Sequence, residues 1–470
     1  MNLGDAAGKL SLEEALGEVG RDVGILGSKA MSRKRVLYVL HNHPATRPGG
    51  AEAYALELYE AMRESPEFEP VLVARVGPHQ HAQDLARPGT PFSLVSDEDT
   101  AQYFVYTDAG VYDWFLGTFP DKSIYTLYFK DLLRSFQPDV VHFQHTHFIG
   151  YDLVTLTRQV LPDVPILYTL HEYIPICHRD GQLVRTMGEK LCTHASPRRC
   201  NQCFPEWSPQ HFFLREKLIK SHLSHVDLFL APSNFLLERY VQWGIPPEKI
   251  RFEDYGRLPE PRAPETPGDR PRNRLGFFGQ VSPYKGAEIL LAAMRILKDT
   301  MPDVHLWLYG ANMDVLPPDA RESLVEAMSI AAGDGNVTLA GAYDHAAVPR
   351  LMAEVDWIVV PSRWWENSPL VIQEAFMHGR PVICSDIGGM SEKVTNGVNG
   401  LHFIVSNPAH LAQTITNAVT TPGLWDKLRG GIPPVFTMDE HMDNLARMYN
   451  ELLERRAPVA PAPELIPTAG

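Results

Sequence analysis

Residues 355–386 read VDWIVVPSRWWENSPLVIQEAFMHGRPVICSD. Two apolar runs, around WIVV and PVICS, flank a loop and a stretch with helical spacing. Short runs that are apolar throughout, rather than alternating, belong to strands buried on both faces. Strand, helix and second buried strand in that order make a parallel crossover unit. The first strand is predicted to end at Ser362. Ser368 is expected to cap the helix, with Pro369 in its first turn. Glu366 then lies in the loop and Glu374 about five residues into the helix, roughly 7–8 Å along its axis. Between the two carboxylates stand the unpaired N–H groups of a helix start, which favour an anion.

The same alternation extends in both directions. Downstream of residue 273 the strand-like runs are RLGFFG, VHLWLYG, NVTLAG, DWIVVPS and RPVICSD. Upstream they are RKRVLYVL, PVLVAR, DVVHFQH, PILYTLH and DLFLAPS, with helical patterns over Ala51–Arg63, Ile124–Phe136 and Gln210–His222. Residues 260–273, EPRAPETPGDRPRN, read as a linker or long loop. The expectation is an α/β chain with two tandem strand–helix domains divided near residue 256. Residues 1–33 form an extension without a strand pattern, in which Met31 is a second candidate start. The first domain covers 34–256 and the second 257–437. An amphipathic helix covers 438–456, and 457–470 is a Pro/Ala-rich tail expected to be disordered. Ligands in open parallel sheets sit beyond the carboxyl ends of the strands, so one cleft between the domains is expected.

Composition narrows the function classes. The 470 residues are 44% hydrophobic and 21% charged, ordinary for a globular protein. A net charge of −14 argues against a broad grip on nucleic acid. There is no apolar run long enough to span a bilayer, which leaves peripheral membrane contact open. The acidic start MNLGDAAGKLSLEEALGEVGRD lacks the order of a secretion signal, so a cytoplasmic location is expected.

Two further strand-to-helix junctions sharpen the reading. In GFFGQVSPYKGAEILLAAM, Lys285 stands near a helix start, where a cation is disfavoured by ~0.3–1 kcal/mol unless an anion binds there. Gly286 beside it permits close approach. In LHNHPATRPGGAEAYALELYEAM, Gly49 and Gly50 precede a helix and let backbone approach a phosphate or sugar. Carboxylate, anion seat, carboxylate is complementary to a sugar nucleotide: hydroxyls, diphosphate, ribose hydroxyls.

The stretches TRPGGAE, GFFGQVSPYKG and ENSPLVIQEAFMHGRPVICSDIGGMSEKVTNGVNG resemble glycosyltransferase family 4, over about residues 34–455. The resemblance implies the GT-B fold, two Rossmann-like domains facing a central cleft, with the acceptor on the first domain and a nucleotide-sugar donor on the second. It implies retaining transfer to an acceptor hydroxyl of a saccharide or glycolipid, in polysaccharide or glycoconjugate synthesis, with no cofactor for catalysis. It gives Glu374 the donor ribose, Glu366 the donor sugar and Lys285 the diphosphate. Asn367 and the backbone of Ser368, Pro369 and Leu370 would lie near sugar and phosphate. His171 would stand beside the reacting carbon, Gly49 and Gly50 would line the cleft, and the helix 438–456 would cross back to the first domain. One departure is Gln280, where the family commonly has arginine; Arg257 or Arg363 could supply the missing charge. A sugar-nucleotide epimerase of the same fold and a non-catalytic metal-stabilised scaffold are the alternatives.

Residues 177–203 form an insert carrying Cys177, Cys192, Cys200 and Cys203. The last two have C-x2-C spacing, which lets two thiolates reach one metal. A structural zinc, or an iron–sulfur cluster, would order this polar loop; free thiols or a redox disulfide are the other readings. Tyr103–Phe129 is dense in aromatics, read first as core packing and second as acceptor surface. Asp97–Asp99 resembles a metal-binding D-x-D but reads as a solvated turn.

Overall fold

The structure is a computed structural model. It describes residues 33–46, 49–77, 92–94, 101–261, 270–310 and 318–456. The N-terminal extension, Asp97–Asp99, most of the 260–273 linker and the tail from residue 457 lie outside the described residues.

Strands β1 (Lys34–Leu40), β2 (Phe68–Val76), β3 (Phe92–Leu94), β4 (Gln102–Tyr106), β5 (Val140–Phe143), β6 (Ile166–Thr169), β7 (Leu228–Ala231) and β8 (Ile250–Phe252) form one sheet. Its order is β3-β4-β2-β1-β5-β6-β7-β8, parallel except for the antiparallel β3–β4 edge. Strands β9 (Arg274–Phe278), β10 (His305–Tyr309), β11 (Val337–Gly341), β12 (Trp357–Val360), β13 (Val382–Ser385) and β14 (Gly400–Phe403) form the second. Its order is β11-β10-β9-β12-β13-β14, parallel throughout.

Burial on both faces explains the apolar runs. Along β1, Leu37 and Val39 pack into one core and Val36, Tyr38 and Leu40 into another. Along β12, Trp357 and Val359 divide from Ile358 and Val360 in the same way. Period-two alternation thus separates two helix layers rather than core from water. Part of the aromatic stretch is core: Tyr112, Phe119 and Phe129 are buried in the first cluster, and Tyr103 and Trp114 pack against it.

The sheets are joined twice at one place. Arg257 N donates to Phe436 O at 3.0 Å and Met438 N to Arg257 O at 2.8 Å. A Cβ on Gly256 would lie 2.6 Å from His441 Cβ and 2.9 Å from Met438 Cα, so glycine is required there. The final helix, Met438–Arg456, then lies on the first sheet. Leu445, Met448, Tyr449 and Leu452 share a core with Tyr38, Leu58 and Leu230. Tyr449 Oη stands 2.7 Å from His142 Nδ1 and 3.1 Å from Tyr38 Oη, satisfying three buried polar groups together.

Candidate functional site

Each sheet reverses its strand order once where β1 meets β5 and where β9 meets β12. Crevices at the carboxyl ends of strands open at such points. Lys285 and Glu366 come from the loops after β9 and β12, and they meet: Lys285 Nζ lies 2.7 Å from Glu366 Oε1. Ser362 Oγ at 2.7 Å and Trp364 Nε1 at 2.9 Å donate to the same oxygen. Glu366 is therefore buried and fixed, while the Lys285 side chain keeps 35% of its surface exposed. Gly286 has φ +71°, and a Cβ there would overlap the Pro361 carbonyl oxygen. Only glycine lets the Lys285 turn seat against the end of β12.

The next helix corrects two sequence expectations. β12 ends at Val360, which leaves Ser362 free to hold Glu366. The helix runs Leu370–Met377 with Pro369 at its N-cap and no side-chain cap. Ser368 Oγ donates instead to Asp254 Oδ1 at 2.7 Å. A carboxylate brought in from beyond β8 is the stronger partner and leaves the helix N–H groups uncapped by Ser368. Asn367 turns toward the first sheet: its Oδ1 accepts from Ser233 Oγ at 2.9 Å, and its Nδ2 donates to Tyr255 Oη at 3.3 Å. Behind this loop, Gly389 N donates to Glu366 O at 2.8 Å.

Glu374 is held on the buried side of that helix. Its Oε1 lies 3.4 Å from Arg257 Nη2 and 3.3 Å from His345 Nε2. The hydrogen bond to Glu374 raises His345 above its ordinary range despite partial burial. Arg257 also reaches Glu57, 3.2 Å away on the helix Gly50–Arg63. Arg363 pairs with Glu288 and Glu189, each at 2.8 Å. Both arginines proposed to replace the charge missing at Gln280 are thus engaged by carboxylates, and Gln280 itself is exposed after β9. Carboxylates close in space but far in sequence claimed both guanidinium groups.

On the first sheet, His171 follows β6. Its Nδ1 lies 2.6 Å from Tyr255 Oη and its Nε2 3.2 Å from Gln144 Oε1. Burial, then the neighbouring His145 and His41, pushes it well below the ordinary histidine range, so the ring is neutral at pH 7. His41 Nε2 stands 3.0 Å from Glu52 Oε1, and His145 Nε2 3.3 Å from Glu172 Oε1. Gly49 and Gly50 introduce the helix that carries Glu52 and Glu57; a Cβ on Gly50 would lie 3.7 Å from Leu370 Cδ1. Gly50 therefore faces the start of the second-sheet helix, while Gly49 backs onto Glu52.

Burial would raise the Glu52 carboxyl, but attraction to His41 and hydrogen bonds from His41, its own backbone and Asn42 hold it at about 2. A depressed folded value means the stabilisation is present above 4.5 and lost as pH falls through about 2. Glu52→Gln is expected to cost about 3 kcal/mol at pH 7 and to flatten the loss of stability between those limits. Urea midpoints at pH 7, 4 and 2.5 measure this; an unchanged acid limb would remove Glu52 from the account.

Sequence reading missed Tyr255, His41, Glu52 and His345. HNHP after the first strand carried a signal for His41, because polar residues at a strand's carboxyl end point into the crevice. Tyr255 and His345 gave none, since Tyr255 acts by contact across the domains and His345 by meeting Glu374, 29 residues away.

The four insert cysteines are free thiols, as is the buried Cys384. Among the described residues, no three His, Cys, Asp or Glu side chains stand in metal-holding geometry. Among them too, no helix is long and apolar enough to cross a membrane.

Comparison with known proteins agrees with this geometry. Two family profiles match: Glycosyltransferase Family 4 over residues 48–252 and Glycosyl transferases group 1 over 272–421. The chain belongs to glycosyltransferase family 4 and has the GT-B fold. It is 33% identical to D-inositol 3-phosphate glycosyltransferase of Segniliparus rotundus over 27% of this chain and 28% of that one. It is 29% identical to glycogen synthase of Mycobacterium tuberculosis over 62% of each chain. The first curated relatives are matched over 28%, 48% and 45% of their own lengths. In fold, it resembles Anabaena HepE in complex with UDP and glucose, with TM-score 0.61, 17% identity, and 89% and 100% of the two chains covered. It also resembles sucrose-phosphate synthase of Thermosynechococcus elongatus, with TM-score 0.65, 19% identity, and 90% and 100% covered.

Proposed function

We propose that the chain moves a sugar from a nucleoside diphosphate sugar to an acceptor hydroxyl on a saccharide or glycolipid, with retention at the anomeric carbon, in polysaccharide or glycoconjugate synthesis. The observation that carries this reading is the pairing of Lys285 with Glu366 at the second sheet's reversal point, on a loop whose next residue, Asn367, reaches His171 of the first sheet through Tyr255. Lys285 and the start of helix Leu370–Met377 would hold the diphosphate. Glu366 would accept hydrogen bonds from the donor sugar, and Glu374 from the ribose. Bond breaking moves negative charge onto the leaving phosphate, and pre-placed positive ends act on that charge. Neutral His171, oriented by Tyr255 and Gln144, would offer a hydrogen-bonding edge to the sugar.

Retention is assigned to attack from the leaving-group side. On the first-sheet side Glu52 is tied to His41 and Asn42, and Glu172 to His145 and the Ile174 amide. Neither stands free as a nucleophile. That the related fold of Anabaena HepE binds UDP with glucose supports the donor class.

A panel of nucleotide sugars tests the reading by thermal stabilisation. One donor should raise the melting temperature well above its free nucleotide. Proton NMR of the product should then show the donor's anomeric configuration. An inverted product would overturn retention, and interconversion of the donor without acceptor would mark an epimerase. Glu374→Ala is expected to weaken nucleotide binding by about tenfold, roughly the loss of one charge-assisted hydrogen bond, with a smaller effect on turnover. Unchanged donor affinity by calorimetry would remove Glu374 from the ribose.

A further inference from the structure

His171 is the first-sheet group proposed to meet the donor sugar, and the bonds around it decide which ring nitrogen carries the proton. Burial, then His145 and His41, keep the ring neutral, so one nitrogen donates and the other accepts. The deciding group stands on the other domain. Asn367 is buried, with its Oδ1 2.9 Å from the Ser233 hydroxyl and its Nδ2 3.4 Å from the Leu170 carbonyl oxygen. A carbonyl oxygen only accepts, so the amide NH₂ must face that way. The same NH₂ donates to Tyr255 Oη at 3.3 Å.

Tyr255 is buried, and its hydroxyl stands between the Asn367 amide and His171 Nδ1, which is 2.6 Å away. The amide nitrogen offers no lone pair, so the phenol proton goes to Nδ1. His171 Nε2 then holds the ring proton and donates to Gln144 Oε1 at 3.2 Å. Gln144 is itself oriented from behind. Its Nε2 lies 3.3 Å from His142 Nε2, and His142 Nδ1 lies 2.7 Å from Tyr449 Oη on the final helix. Burial pushes His142 down to about 3, so it too is neutral, accepting from Gln144 and donating to Tyr449. Tyr449 passes its own proton to Tyr38 Oη at 3.1 Å. From Asn367 to Tyr38 every donor meets an acceptor when the chain runs in this one direction.

We infer that Asn367 and Tyr255 are positioning residues that hold His171 in the tautomer protonated at Nε2, so that the ring serves the donor sugar as a hydrogen-bond donor. This rests on the reading of His171 as a group beside that sugar. Asn367 directly follows Glu366. The loop that presents a carboxylate to the sugar therefore also sets the proton of the histidine on the first domain, and the setting holds only while the two domains touch. With alanine at 367, water in place of the amide takes the phenol proton, and Tyr255 Oη accepts from His171 Nδ1–H equally well.

Nitrogen-15 NMR of the full chain carrying labelled histidine reads the tautomer without any turnover; the His171 signals are those lost in His171→Gln. A pyridine-type Nδ1 and a pyrrole-type Nε2 are expected in the wild type. Tyr255→Phe keeps the ring contact with Tyr54 and removes only the hydroxyl. Both it and Asn367→Ala should show mixed tautomers. Tyr255→Phe should also lower turnover about tenfold, the worth of one well-placed hydrogen bond. A wild-type ring protonated at Nδ1, a mixture already in the wild type, or variants that keep the wild-type signals would each overturn the inference. Mixed tautomers with unchanged turnover in Tyr255→Phe would overturn the positioning role. Near-normal turnover in His171→Gln, with the wild-type tautomer as expected, would instead overturn the reading of His171 at the sugar.

Discussion

Replacing Lys285 by alanine is expected to lower turnover by ~10²–10³-fold, the usual loss when one pre-placed charge at a transition state is removed. The fold should tolerate the change. Glu366 stays buried but keeps Ser362 and Trp364 as donors to the same oxygen, which limits the cost of removing the partly exposed lysine. Effects on the Michaelis constant should be smaller, because the leaving phosphate carries most charge as the bond breaks. Steady-state kinetics with the donor found by the panel, alongside circular dichroism, separates the cases. Near-normal turnover in a folded variant would remove Lys285 from the chemistry and leave it a partner of Glu366.

Gly389→Ala should do comparable damage by an opposite route. The helix Gly388–Lys393 starts against the back of the loop that carries Glu366 and Asn367. A Cβ on Gly389 would overlap the Asn367 carbonyl oxygen and lie 3.0 Å from the Glu366 carbonyl oxygen. Backbone cannot rotate away as a side chain can, so the loop must shift. We expect a loss of about 3 kcal/mol in stability, at the upper end for overpacking. Donor affinity should fall at least ~30-fold, because a shift of about 1 Å is enough to cost two orders of magnitude in a positioned site. Gly333→Ala provides the contrast. Its Cβ would meet nothing within 4 Å at the exposed end of the helix Pro318–Gly333, so stability should hold or rise by up to about 1 kcal/mol. Chemical denaturation and calorimetric titration of both variants measure the difference; equal behaviour would show that the loop is not clamped from behind.

The parts of this site that were legible in sequence lie on single strand–loop–helix units. Glu366, Asn367 and Glu374 span nine residues, and Lys285 follows its strand by seven. Local spacing placed them on helix starts, and parallel topology placed both starts at one crevice. What could not be read depends on which distant group wins a competition. Ser368 was free to cap a helix until Asp254, 114 residues away, took its hydroxyl. Arg257 and Arg363 were free to meet an anion until Glu57, Glu374, Glu189 and Glu288 surrounded them. Tyr255 had no local pattern at all, yet it touches His171 and Asn367 at once.

The paired crossings at Gly256–Arg257 and Phe436–Met438 set the mechanics of the whole molecule. Two covalent threads running side by side act as the spine of a book: they suppress sliding and twisting of the halves and leave rotation about one line. At the fore-edge sit Glu189–Arg363 and Glu392 with the Asn234 amide, the fastenings that any outward swing must undo first.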